Sequence, residues 1–164
     1  MSDTVKYLNI MIESLEKKER LMNLLLDKTE LQGELINGKD YDDVEWPQFN
    51  IYMNEKESAI QKIDELDEGF DQVYKRVQKD LDEDVSRYKD QIKKLQVLIT
   101  SLTDIGVKIG SKENRNKTDI DRIMTAAKAN IKSAKKNIKV SNDYIKSMYG
   151  NANVAGVNIF DSKK

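Results

Sequence analysis

The sequence predicts an all-α protein: an elongated antiparallel helical bundle of three long helices with a flexible C-terminal tail. Apolar residues recur at alternating steps of three and four over long stretches, which keeps one narrow stripe of each helix facing a neighbour. The 164 residues include one proline and seven glycines, and they lack the sustained alternation of apolar and polar residues typical of strands. Because 38% of the residues are apolar and 35% are charged, a core is expected only along the helix seams.

The first helix is predicted at residues 4–36. Asp3 or Thr4 can cap its N-terminus. Asn37-Gly38 ends it, because glycine readily takes the left-handed conformation that closes a helix. Its apolar face is formed by Val5, Leu8, Ile12, Leu15, Met22, Leu26, Leu31, Leu35 and Ile36.

The second helix is predicted at residues 47–80, where the fixed φ of Pro47 suits the first turn. It forms an antiparallel hairpin, residues 1–80, with the first helix. Lys56 interrupts its apolar stripe. An ion pair with Asp27, with Glu30 one turn away, and a lysine that extends its charge to water both fit the spacing. The stripe also contains Phe49, Tyr52, Ala59, Ile63, Leu66, Phe70, Val73 and Val77.

The third helix is predicted at residues 84–149, after an acidic turn in which Asp82 or Asp84 can act as the cap. We expect one continuous helix, because its stripe resumes in register after the polar positions Glu113 and Asn116. Gly106 and a neighbouring glycine weaken helix formation, so a bend or split near residues 106–116 stays open. The apolar positions are Val85, Tyr88, Ile92, Leu95, Ile99, Leu102, Ile109, Ile120 and Ile123, followed by Ala127.

The stripe becomes thin beyond Ala127, because alanines replace larger residues and supply little apolar area. This C-terminal part of the helix is expected to fold poorly alone. Residues 1–150 are predicted to form a single helical-bundle domain, in which residues 84–150 are the long third helix. Residues 151–164 are predicted to form a flexible tail with an exposed apolar cluster, Val157, Ile159 and Phe160.

The net charge of −1 conceals a strong division between the two halves of the chain. Residues 1–84 contain 22 acidic and 11 basic side chains, whereas residues 85–164 contain 7 acidic and 17 basic side chains. Two interpretations follow. The acidic hairpin lies against the basic third helix within one chain, or the basic half meets an acidic partner outside it.

The composition argues against an enzyme. The chain contains no histidine and no cysteine, the residues on which nucleophilic triads and most transition-metal sites depend. No cofactor or metal is therefore expected, and the acidic residues between Asp64 and Asp71 are interpreted as a solvated face. Nucleic acid is not expected as a partner, because the acidic half would repel phosphates. Without a long apolar run or a signal peptide, the sequence predicts a cytoplasmic protein that does not insert into membranes.

Three stretches of the sequence carry a resemblance to a known family. They are ELINGKD at residues 34–40, YMNEK at residues 52–56 followed by IDELDEGFDQVYKRV at residues 63–77, and VNIFDSKK at residues 157–164. These stretches resemble the flagellar export chaperones of the FlgN type and the related FliT type. The resemblance covers most of the chain and contains no catalytic signature.

The resemblance implies a cytoplasmic, non-enzymatic chaperone of flagellum biogenesis, a type III secretion system. Such a chaperone binds the C-terminal helical segments of flagellar hook-associated (hook-filament junction) proteins and delivers them to the flagellar export apparatus. The family's substrate-binding region corresponds to residues 123–149 here. Periodicity and the apolar cluster of the tail, rather than the resemblance, select the candidate partner-binding residues: Ile131, Ile138, Tyr144, Ile145, Met148, Tyr149 and Phe160.

The alternative function is a self-associating coiled-coil structural or interaction protein with no secretion substrate. A weak homodimer is compatible with either function. Glu113 and Asn116 argue against a permanent homodimer along the whole third helix, because burying both would require polar partners.

Overall fold

The computed structural model describes residues 3–149, which form three long helices, α1 (Asp3–Ile36), α2 (Trp46–Glu83) and α3 (Lys89–Tyr149). Short 3₁₀ turns, Tyr41–Asp43 and Val85–Tyr88, precede α2 and α3. The predicted all-α bundle of three helices is confirmed. Helix α3 is continuous, so it is not split near residues 106–116. The predicted flexible tail, residues 151–164, lies outside the described residues.

The helix ends follow the sequence signals. Gly38 has a φ of 67°, and the N–H of Asn37 donates to the carbonyl oxygen of Gly33 at 2.9 Å, closing α1. Pro47 lies in the first turn of α2. The Asp84 carboxylate caps the turn that leads into α3, because Oδ1 accepts a hydrogen bond from the N–H of Arg87 at 3.3 Å.

Helix α1 is the central helix, since it packs against both α2 and α3 along its length. Lys28 near the end of α1 forms a salt bridge with Glu55 near the start of α2, and Thr4 at the start of α1 contacts Asp80 near the end of α2. Helices α1 and α2 are therefore antiparallel. Contacts between α1 and α3 advance in the same direction in both helices, from Glu19–Ser101 and Thr29–Glu113 to Lys39–Arg122. Helices α1 and α3 are therefore parallel, and α2 runs opposite to both.

Two apolar clusters join the three helices. The first surrounds the N-terminus of α1 and the second closes the loop end of the hairpin, where Ile123 of α3 is fully buried. The first contains Leu8, Met11, Leu15, Val77, Tyr88, Leu95 and Leu102, and the second contains Ile36, Val44, Phe49 and Ile123. Met11 and Leu25 are buried although they are absent from the predicted stripe, because α1 buries a second stripe against its second neighbour.

Two positions predicted for the seam of α3 are wrong. Val85 and Ile99 are 57% and 49% exposed, whereas Ile105 is buried and Leu98 packs against the first cluster. Val85 lies in the 3₁₀ turn that precedes α3. Ile99 lies about 100° around the helix from Leu98, so it points away from the first cluster.

Helix α3 continues beyond the hairpin. Ile123 lies level with the loop that joins α1 to α2, and residues 124–149 extend further by about 39 Å at 1.5 Å per residue. No described contact links this segment to α1 or α2. We call residues 124–149 the projecting segment.

A tight contact between α1 and α3 at Gly33 leads to a testable prediction. A Cβ atom added there would lie 2.8 Å from Oδ1 of Asn116, which is buried. We expect Gly33→Ala to lower the free energy of unfolding by about 1–3 kcal/mol, as overpacking does, despite the higher helix propensity of alanine. Chemical denaturation measures the change.

Gly69→Ala and Gly110→Ala are the matched controls, because nothing lies within 4 Å of a Cβ added at either position. Both should raise stability by up to about 1 kcal/mol. A Gly33→Ala variant as stable as these controls would contradict the close contact.

Candidate partner-binding helix

A cluster of polar residues, four of them buried, lies between the three helices in the part of the hairpin nearer its loop. We call it the polar cluster: Thr29, Gln32, Lys56, Glu113 and Asn116. Nζ of Lys56 donates to Oε1 of Gln32 at 2.8 Å and forms a salt bridge with Glu113. Oγ1 of Thr29 lies 3.0 Å from Oε1 of Glu113, and Nδ2 of Asn116 donates to the Thr29 carbonyl oxygen at 2.9 Å.

Both sequence interpretations of Lys56 are therefore wrong. The side chain is buried rather than extended to water, and its ionic partner is Glu113 of α3 rather than Asp27 of α1. The spacing within the hairpin could not reveal this pair, because the partner comes from the third helix. Shifting α3 by one turn would leave the ammonium of Lys56 buried without its carboxylate, so the cluster favours one register.

The polar cluster also supplies the partners that Glu113 and Asn116 require. Because both are satisfied inside one chain, residues 89–123 of α3 are committed to the hairpin. Along its predicted seam, the projecting segment is the part of α3 that makes no described contact with α1 or α2.

Five of the candidate partner-binding residues have described side chains, and these five lie on the projecting segment and are mostly exposed. Ile131 is 57% exposed, Ile138 is 45% exposed and Met148 is 59% exposed. Ile145 is half-buried. The side chain of Tyr149 and the whole of Phe160 lie outside the described residues.

The structure places three of these residues on one line. Ile131, Ile138 and Ile145 recur at intervals of seven and continue the face of α3 that carries Ile123 and Ala127. Tyr144, which is 63% exposed, lies about 100° around the helix from Ile145 and is not on this line. Asn142 lies beside the line, and its buried Oδ1 accepts no hydrogen bond within the described part of the chain.

Lysines occupy the flank next to the apolar line. Lys128, Lys132, Lys135 and Lys139 follow one another at steps of four, three and four, so they form a parallel stripe about 100° away. All four are exposed, and no described carboxylate pairs with them. The remaining side of the segment carries mainly serine, asparagine and alanine.

No relative of this chain is found among known proteins. No family model, no curated protein and no solved structure matches the chain. The physical character of the projecting segment therefore carries the functional argument.

Two other kinds of feature are absent from the described residues. Within residues 3–149, no group of three or more acidic side chains is placed to hold a metal ion. None of the three described helices is long and apolar enough to cross a membrane. Two shallow grooves lie between α1 and α2, with volumes of about 250 and 510 Å³, and both are lined by Lys17, Glu65 and Leu66.

Proposed function

We propose that this protein is a secretion chaperone of the flagellar FlgN type, which binds a helical segment of a hook-filament junction protein and presents it to the export apparatus. The observation that carries the proposal is the projecting segment: an amphipathic helix whose apolar line has no partner in the described chain. Burying such a line against a client helix removes apolar surface from water on both sides. The resemblance of residues 34–40 and 52–77 to that family supplies the identity of the client.

The charge of the segment restricts the client. A helix paired along Ile131, Ile138 and Ile145 brings its flank next to the exposed lysine stripe. Acidic residues on that flank would gain favourable electrostatic interactions, and basic residues would be repelled. The client segment is therefore expected to be an amphipathic helix with an acidic flank.

The test is a binding measurement with the Ile138→Asp/Ile145→Asp variant. Titration calorimetry with the C-terminal segment of a hook-filament junction protein from the same organism should give a defined one-to-one complex with the unchanged chain. The variant should bind at least about a hundredfold more weakly, because an uncompensated charge is buried at each of two anchor positions. Its thermal stability should stay close to that of the unchanged chain, since neither side chain belongs to the described core clusters.

Val140→Asp provides the matched control. Val140 is 58% exposed and lies on the opposite side of the helix from the apolar line, so the same charge should leave binding unchanged. Equal binding by the Ile138→Asp/Ile145→Asp variant and the unchanged chain would refute the assignment.

The alternative, a self-associating coiled-coil protein, makes a different prediction in the same experiment. It requires a tight dimer in the absence of client, and that dimer should be indifferent to the added segment. If such a dimer paired two projecting segments side by side and in parallel, their two lysine stripes would repel one another.

A further inference from the structure

The side of the bundle between α2 and α3 is open. Both helices pack closely on α1, whereas their backbones stay further apart from each other and are bridged by the side chains of Lys56 and Glu113. These two residues mark the lines along which α2 and α3 face one another. We define the open face as the apolar residues near these lines: Ile60, Ile63, Phe70 and Tyr74 of α2, with Ile92 and Ile99 of α3.

Half of the open face is exposed. Ile60, Tyr74 and Ile99 are between 39% and 49% exposed, and Ile63, Phe70 and Ile92 are half-buried. The salt bridge between Lys18 and Asp67, at 2.7 Å, also reaches this side of the bundle. An amphipathic helix laid here would contact both α2 and α3 and would complete a four-helix bundle.

The two rims of the open face differ in charge. The rim on α2 carries exposed Glu57, Asp64, Glu68 and Asp71 at steps of seven, four and three, and no described cation pairs with them. Exposed Lys75 follows Asp71 at the end of this rim. The rim on α3 at the same level is uncharged and contains Gln96, Thr103 and Gly110. The occupant therefore needs an apolar line with a basic stripe on one flank.

The chain itself contains such a helix. We propose that the open face binds the projecting segment of a second copy, with Ile131 and Ile138 on the apolar residues and the lysine stripe along the acidic rim of α2. The segment is about 39 Å long, which exceeds the span of roughly 21 Å from Ile60 to Tyr74. Opposite charges follow both helices at steps of three, four or seven residues, so several pairs form together. This inference does not rest on the proposed function.

The positions of the stripes also define the direction of the contact. Viewed from the N-terminus of the segment, the lysine stripe lies clockwise from the apolar line, since successive residues advance by about 100° clockwise. The lysine stripe lies next to the acidic rim of α2 when the bound projecting segment runs parallel to α3 of the copy that binds it. The contact is then head to tail, so it repeats from copy to copy instead of closing a two-fold dimer.

The test is sedimentation equilibrium of the full chain over a range of concentrations. The average mass should rise above 18.9 kDa and pass twice that value, and added salt should lower it because the rim charges are exposed. Ile99→Glu should weaken association at least about tenfold, because a glutamate would be buried without a cationic partner. Ile138→Asp should have the same effect from the other side of the contact.

Val97→Glu is the matched control on α3. Val97 is 62% exposed and lies about 160° around the helix from Ile99, so its substitution should leave association unchanged. Ile51→Glu is the equivalent control on α2, where Ile51 lies opposite Ile60.

Mixing the variants provides the decisive measurement. Ile99→Glu keeps an intact projecting segment and Ile138→Asp keeps an intact open face, so an equimolar mixture should form a complex of two chains and no larger species. A chain that remains monomeric up to about 1 mM overturns the proposal, as does association that Ile99→Glu leaves intact. Client binding distinguishes this inference from the proposed function. Ile99→Glu should bind the client segment at least as tightly as the unchanged chain, because no second copy competes for its projecting segment.

Discussion

Replacing Ile123 with alanine is expected to lower the free energy of unfolding by about 2–5 kcal/mol, the usual cost of truncating a fully buried isoleucine. Ile123 is 0% exposed and packs with Ile36, Val44 and Phe49, which hold the loop end of the hairpin against α3. The loss should be at the upper end of that range if the surrounding side chains cannot close the cavity. Chemical denaturation followed by circular dichroism measures it.

Met124→Ala is the control for this prediction. Met124 is the next residue and is 36% exposed, so the same kind of truncation should change stability by well under half as much. Equal losses for the two variants would mean that Ile123 does not fasten α3 to the hairpin.

Replacing Glu113 with alanine is expected to lower the free energy of unfolding by about 2–3 kcal/mol. The ammonium of Lys56, which is 6% exposed, would keep Gln32 as a neutral acceptor but would lose its carboxylate. Breaking a fully buried ion pair costs about 3–5 kcal/mol, and we expect less because the Glu113 side chain is 44% exposed. Urea denaturation of the single variant measures the loss.

A double substitution separates the pair from its surroundings. Lys56→Met/Glu113→Met removes both charges and should recover most of the lost stability, since apolar replacement of a buried pair is often neutral. A double-mutant cycle between Lys56 and Asp27 should show no coupling, because these residues are not paired. Coupling to Asp27 with none to Glu113 would contradict the polar cluster.

The three helices could be predicted from the sequence because each carries its own local signals. Gly38, Pro47 and Asp84 mark boundaries that the structure reproduces within a few residues. Periodicity also identified most of the buried faces. It could not show that α1 is central, because a second buried stripe, which includes Met11 and Leu25, appears only when both neighbours are present.

The polar cluster was visible in the sequence only in parts. Lys56, Glu113 and Asn116 each interrupt an apolar stripe, but the sequence alone does not bring α2 and α3 level. If the three helices are arranged up-down-up with short loops, Lys56 of α2 lies at the same level along the bundle as Glu113 and Asn116 of α3. That alignment was the signal from which the contact could have been predicted. The exposed line on the projecting segment was predictable, whereas Tyr144 was assigned to the candidate site although it lies on a neighbouring face.

Among residues 3–149, little tertiary packing supports the helical order of the projecting segment, which affects how tightly a bound protein can be held. Part of the free energy of any association must fix this segment, so the net affinity falls below what its buried area alone would provide. A lower affinity is expressed mainly as faster dissociation of the complex, and the association rate changes less. A segment of this kind is suited to complexes with short lifetimes rather than to long-lived ones.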